Sequence, residues 1–156
     1  MRYSHEDGQL VKQPVGYWTW AANKTLMAYV RGRLAAIGIT QPQWWVLHQV
    51  LLSGGGATRD EVVAAQRDNL DVGAGLVQDI DLLVERGLLV EEVGVEEEGG
   101  RLRITDEGRE LHGRAARTQQ ESREKVHAGI SDEEYLATLK VLQRMMHNAG
   151  ADVRRL

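Results

Sequence analysis

Six of the eight aromatic rings in this chain crowd into one span: Tyr17, Trp18, Trp20, Tyr29, Trp44 and Trp45, drawn from four Trp, four Tyr and no Phe. His48 follows Trp44 by four residues, so on a helix the two share a face, and Asn23 stands five residues after Trp18. Wide flat rings with a few polar groups make a pocket for an apolar or aromatic small molecule. On that reading the pocket residues are Trp18, Trp20, Asn23, Tyr29, Trp44, Trp45 and His48. A structural reading stands beside it: Trp18 and Trp44 in a core, Trp20 and Trp45 at an interface, and His48 held by a hydrogen bond. Were the pocket catalytic, His48 would do acid–base work, because its unperturbed pKa lies near neutrality, and Asn23 or a Tyr would orient the substrate. No spacing supplies a second catalytic group, so binding is favoured over catalysis.

Other chemistries find less support. His5, His48, His112, His127 and His147 show no His-x-x-x-His pairing and there is no cysteine, so neither a metal nor a disulfide is expected. No nucleophile motif joins the scattered Ser, His and Asp residues. The loop Ser53-Gly54-Gly55-Gly56 is not followed by Gly-Lys-Ser/Thr, and Gly73-x-Gly75 lacks the third glycine and the preceding strand of a dinucleotide site. No cofactor is therefore expected. With 156 residues, 42% of them hydrophobic and 27% charged, the chain has enough material for one domain with a core. No run approaches the ~18 apolar residues of a membrane span and no secretory signal opens the chain, which predicts a cytoplasmic protein without a membrane partner.

The elements that would position these side chains follow from periodicity. Residues 1–13 are polar and aperiodic, a loose arm. Trp18, Ala22, Leu26, Tyr29, Val30 and Leu34 recur at helical spacing over 15–37, and Gly38 ends that helix. Thr40 with Gln43 forms a capping box for a helix over 41–52, with Pro42 in its first turn. Thr58 with Glu61 caps a short helix bearing Val62, Val63 and Ala65. Asp71 is a good N-cap for the next helix, whose apolar face is Leu76, Ile80, Leu83 and Val84 and whose end is Gly87. Two β-like runs, 88–90 and 102–104, flank an acidic turn. Thr105 caps a long polar helix over 106–128, with Leu111, Ala115, Ala116 and Val126 as its thin apolar content. Ser131 with Glu134 opens the last helix, to 149, whose stripe of Leu136, Leu139, Val141, Leu142, Met145 and Met146 needs a partner.

Helix, turn, helix and hairpin over 57–105 is the winged helix-turn-helix plan, whose second helix normally enters a DNA major groove. The chain resembles the MarR family of winged-helix regulators. The likeness is carried by Ile39-Thr40-Gln41 before the Trp-rich helix, by Leu83-Val84-Glu85-Arg86-Gly87-Leu88-Leu89, and by Leu102-Arg103-Ile104-Thr105-Asp106-Glu107-Gly108. It implies a mainly α fold with a small β-hairpin. It further implies one MarR-like domain over 1–156, with the winged helix-turn-helix lobe at 57–105 and the dimerisation and ligand-cleft helices at 15–52 and 106–149. A homodimer interlocked through its terminal helices and a small-molecule cleft beside the DNA-binding lobe are what the family would bring.

One departure from the family bears on function. The wing of the family carries an Asp-x-Arg motif, and counting back from Thr105 those positions fall on Glu96 and Glu98. From Ala57 to Thr105 five basic residues stand against twelve acidic ones, a net of −7, against −4 for the whole chain. DNA affinity rests on neutralising phosphates with Lys and Arg. Gln78, able to pair bidentately with adenine, is the base-reading candidate, with Gly73, Arg101 and Arg103 completing the DNA-facing set; Gln78 reads equally as a solvated helix residue.

Two functions are therefore carried forward. One is a ligand-responsive transcriptional regulator with an unusually acidic wing, which binds duplex DNA weakly or through another surface. The other is a MarR-like scaffold that no longer reads DNA and acts as a small-molecule binder or enzyme through its aromatic cleft.

Overall fold

The computed structural model describes residues 1–54, 56–66, 75–92 and 100–155. A single exposed helical turn, α1 (Asp7–Leu10), interrupts the arm expected to be aperiodic; it has no apolar period and buries nothing, which is why the pattern does not reveal it. The long helix α2 (Val15–Ala35) follows, with Pro14 in extended conformation at its N-cap. It stops short of the expected 37 because Gly38 takes φ +78°, a left-handed value open to glycine, and turns the chain into Ile39.

The helix α3 (Gln41–Leu52) begins at the Thr40–Gln43 capping box, where the Gln43 N–H donates to Thr40 Oγ1 and the Thr40 N–H to Gln43 Oε1, both 3.2 Å. A short strand, β1 (Ala57–Thr58), leads into α4 (Arg59–Gln66). The Thr58–Glu61 capping box forms as expected, with the Thr58 N–H donating to Glu61 at 2.8 Å. Helix α5 (Gly75–Glu85) ends at Gly87, φ +69°, and strands β2 (Leu89–Glu92) and β3 (Arg101–Ile104) complete the lobe. The expected N-cap Asp71, and Gly73, Glu96 and Glu98, lie outside the described residues.

The expected two-stranded hairpin is a three-stranded antiparallel sheet in the order β1-β3-β2. Leu89 pairs with Ile104, and Ala57 with Leu102. A two-residue strand is too short to show alternation, so β1 leaves no signal in the sequence.

From Thr105, whose side chain accepts from the Gly108 N–H, the chain enters α6 (Asp106–His127); α7 (Asp132–Asn148) opens at the Ser131–Glu134 capping box. Gly108 sits where the start of α6 presses on the sheet, and a Cβ there would overlap the Leu88 carbonyl oxygen.

One core joins these elements. Val46, Leu47 and Val50 of α3 meet Leu76, Ile80 and Leu83 of α5, with Leu89 and Leu102 of the sheet and Leu111 and Ala115 of α6 closing it. By contrast α2 buries only Leu34, and α7 buries nothing. No helix among the described residues is long and apolar enough to cross a membrane.

Candidate functional site

Because Val46, Leu47 and Val50 turn one face of α3 to the core, Trp44 is left on an adjacent face, only partly packed against that core. There it forms one wall of a cavity of about 480 Å³ between α2, α3 and α6, opposite Leu26, Met27 and Val30 of α2 and Ala116 and Val126 of α6. That volume suits a small-molecule ligand. The polar lining is uneven. The Ser122 hydroxyl is spent on the Thr118 carbonyl at 2.6 Å, and the Gln120 amide on Glu124 at 2.9 Å. Trp44 Nε1 and Gln119 Nε2, however, are buried and find no hydrogen-bond partner. Arg123 also lines the cavity, no Asp or Glu does, and its guanidinium lies 5.5 Å from the Tyr135 ring centroid.

Beside Trp44 lie two histidine rings nearly parallel to it and to each other. Trp44 and His48 are 5.1 Å apart, Trp44 and His112 5.8 Å, and His48 and His112 5.3 Å, centroid to centroid. His48 Nδ1 and His112 Nε2 are hydrogen-bonded at 3.1 Å. Burial first, and then the neighbouring His48, pull the His112 pKa below its ordinary 6.5. No third His, Asp or Glu joins a cluster able to hold a metal ion among the described residues.

A second opening, about 510 Å³, lies between α2 and α7 and is walled by Val15, Trp18, Ala22, Ala137, Val141 and Leu142. Trp18 is 39% exposed and Trp20 58% exposed, and Leu136, Leu139, Met145 and Met146 of α7 are also exposed.

Among the described residues of the lobe, the arginines are engaged by groups of the protein itself. Arg59 donates to Asp81 at 2.7 Å and to both Glu91 oxygens at 2.9 and 3.0 Å. These bonds raise the Arg59 pKa further and lower that of Glu91. Arg103 is paired with Glu92 at 2.6 Å. Arg101 donates to the Gly56 carbonyl, and Arg86 to that of Gly38. Gln78 is exposed on α5.

No family model matches the sequence, and no curated protein matches it. Solved structures do. A MarR-family transcriptional regulator from Rhodococcus sp. RHA1 is 23% identical with a TM-score of 0.66, over 84% of this chain and 91% of its own. CouR from Rhodococcus jostii RHA1, bound to p-coumaroyl-CoA, is 22% identical with a TM-score of 0.64, over 85% and 91%. An organohalide-sensing transcriptional regulator in its 2,4-dichlorophenol-bound form is 12% identical with a TM-score of 0.69, over 95% and 88%. This is the MarR-type winged-helix fold.

Within the MarR-like frame the expected single aromatic cleft divides. Trp44 lines the cavity between α2, α3 and α6, while Trp18 lines the opening between α2 and α7. The expectation of Trp18 in a core is corrected by its exposure, for α7 leaves that part of α2 uncovered. Trp45 and His48, half-buried on α3, and Tyr29, half-buried on α2, line neither opening; nor does exposed Asn23. The residues missed are His112, Gln119 and Arg123 of α6. With Ala116 and Val126 they fall at steps of four, three, four and three, one helical face whose polar members read as solvated.

Proposed function

We propose that this chain is a ligand-responsive transcriptional regulator, a cytoplasmic homodimer that binds an apolar or aromatic small molecule and, weakly, duplex DNA. The observation that carries the reading is the double duty of α3. One face of it, through Trp44, walls the cavity; another, through Val46, Leu47 and Val50, belongs to the core that holds α5. Arg86, just past α5, bonds the Gly38 carbonyl at 2.8 Å and Gln43 at 3.4 Å, a further tie between α5 and the start of α3. A ligand that shifts Trp44 therefore shifts the mounting of the lobe over 57–105. The ligand-bound states of CouR and of the organohalide sensor support the same reading by likeness of fold.

In this proposal Trp44 is the ligand-binding ring, Trp18 and Trp20 belong to the dimer face with the terminal helices 15–37 and 132–149, and Gln78 meets the bases. Fluorescence anisotropy with duplex from the protein's own upstream region at low salt tests it. Binding that a cavity ligand weakens or strengthens is the expected result; no binding at any salt concentration would remove it.

The paired arginines favour a second reading, a MarR-like scaffold that binds small molecules without DNA. Arg59 and Arg103 are engaged by carboxylates of the lobe itself and are poorly placed to neutralise phosphate. The same anisotropy measurement separates the two.

A further inference from the structure

One hydrogen bond of this fold joins two groups that both change charge near neutrality. His48 of α3 and His112 of α6 approach Nδ1 to Nε2 at 3.1 Å. Their planes differ by 7° while their centroids stand 5.3 Å apart, so the rings meet edge to edge in nearly one plane, as an in-plane N–H···N bond requires. The bond survives one proton, because an imidazolium can donate to a neutral imidazole. A second proton leaves two N–H groups and two positive charges opposed across the same gap. Burial, and after it the charge of His48, depress the His112 pKa, so its proton enters below the ordinary 6.5.

The surrounding charges do not relieve that opposition. Among the described residues no Asp or Glu joins the pair in a cluster, and α3 bears no charged side chain besides His48. On α6, Arg109 precedes His112 by one turn and lines a small opening with Gly54 and Arg103. On α2, which packs against α6, Arg33 is held by Glu121, Lys24 lies over the Trp20 ring and Arg31 is exposed. Elements α5 and β3 meet α3 through Val46, Leu47 and Val50; of their charged groups Asp81 is held by Arg59, Arg103 by Glu92, and Asp79 bonds Gln43. Glu85 of α5 and Asp60 of α4 are exposed, and Glu61 of α4 is held in its capping box with Thr58. Trp44, one turn before His48, lies nearly parallel to both rings at 5.1 and 5.8 Å.

We propose that the His48–His112 pair is an acid-operated latch: once both rings are protonated, α3 and α6 part beside Trp44 and the duplex affinity of the lobe that α3 carries falls. For its effect on DNA this rests on the regulator reading above, to which it adds protons as a second input. The fall follows because a loosely mounted lobe must be ordered again when duplex binds. Protonation of exposed histidines such as His5 and His147 works in the opposite sense, adding positive charge that favours phosphate. The sign of the pH dependence therefore separates the latch from a general charge effect.

Two measurements on the full chain, from pH 7.5 to 5.0 at constant ionic strength, test this. In NMR spectra the His112 ring should titrate below 6.5 and the Trp44 indole N–H resonance should move with the same midpoint. His48→Gln should raise the His112 midpoint and leave the indole resonance still. By fluorescence anisotropy, wild-type duplex affinity should fall at least about fivefold across the range, while His112→Gln, which hydrogen-bonds without titrating, should hold it within about twofold. Should His112→Gln fail to fold, His48→Gln takes its place. An indole resonance indifferent to pH, one that moves alike in wild type and variants, or a pH dependence of duplex affinity shared by wild type and variants would overturn the proposal. A pH-dependent indole resonance, lost in the variants, in a protein that binds no duplex would uphold the parting of α3 and α6 and remove the regulator reading instead.

Discussion

His48 Nδ1 lies 3.1 Å from His112 Nε2, joining α3 to α6 through a hydrogen bond that exists only while at least one imidazole is neutral. Two imidazolium rings would point N–H at N–H. Trp44, which walls the cavity between α2, α3 and α6, lies nearly parallel to both rings.

The first consequence is a pH dependence of stability. Burial and the neighbouring His48 depress the His112 pKa, so below 6.5 the unfolded chain binds more protons at this residue than the folded one. Its contribution to stability is full above 6.5 and is lost as pH falls through the depressed value. Urea denaturation from pH 7.5 to 5.0 should show stability falling with acid, and His112→Gln should flatten that fall. An identical pH profile in the variant would count against His112 as its source.

The acidic lobe leads to a second expectation. Asp81→Asn with Glu91→Gln releases Arg59 from both carboxylates and makes the lobe two charges more positive. Duplex affinity at low salt should rise, and the slope of log K against log salt should steepen by about 1 for the freed arginine. Unchanged affinity in a folded variant would mean that Arg59 faces away from the phosphates.

Gly108 offers a test of the fold. Its missing side chain lets α6 press against the Leu88 carbonyl, and a β-carbon there cannot be accommodated without moving backbone. Gly108→Ala should destabilise the protein by roughly 1–3 kcal/mol, the usual cost of overpacking, despite alanine's better helix propensity. Chemical denaturation showing a gain in stability would contradict this close approach.

The uncovered stripe on α7 bears on assembly. Val141 lines the opening against α2 and is 46% exposed, so Val141→Lys leaves the core of the single chain intact. In a homodimer it would bury a charge in an apolar interface, at a cost of several kcal/mol if unpaired. Sedimentation should show a wild-type dimer at micromolar concentration and a variant shifted to monomer. A monomeric wild type would end the dimer proposal.

What the sequence determined by itself is local. Capping boxes at Thr40–Gln43, Thr58–Glu61 and Ser131–Glu134, and left-handed glycines at Gly38 and Gly87, each act within a few residues, so helix starts and stops are legible wherever such signals exist. The order of those elements carried the MarR-like fold, and the excess of carboxylates on the lobe was countable. Only the tertiary structure decided which side chains share a site. His48 and His112 are 64 positions apart and Trp44 and Gln119 lie on different helices, so no period or motif joins them. The crossing of α3 and α6 does. For the same reason Trp18 and Trp44, neighbours in an aromatic count, lie in separate openings, because one part of α2 opens toward α7 and another packs against α6. Spacing along a helix assigns a residue to a face; packing between helices assigns that face its neighbours.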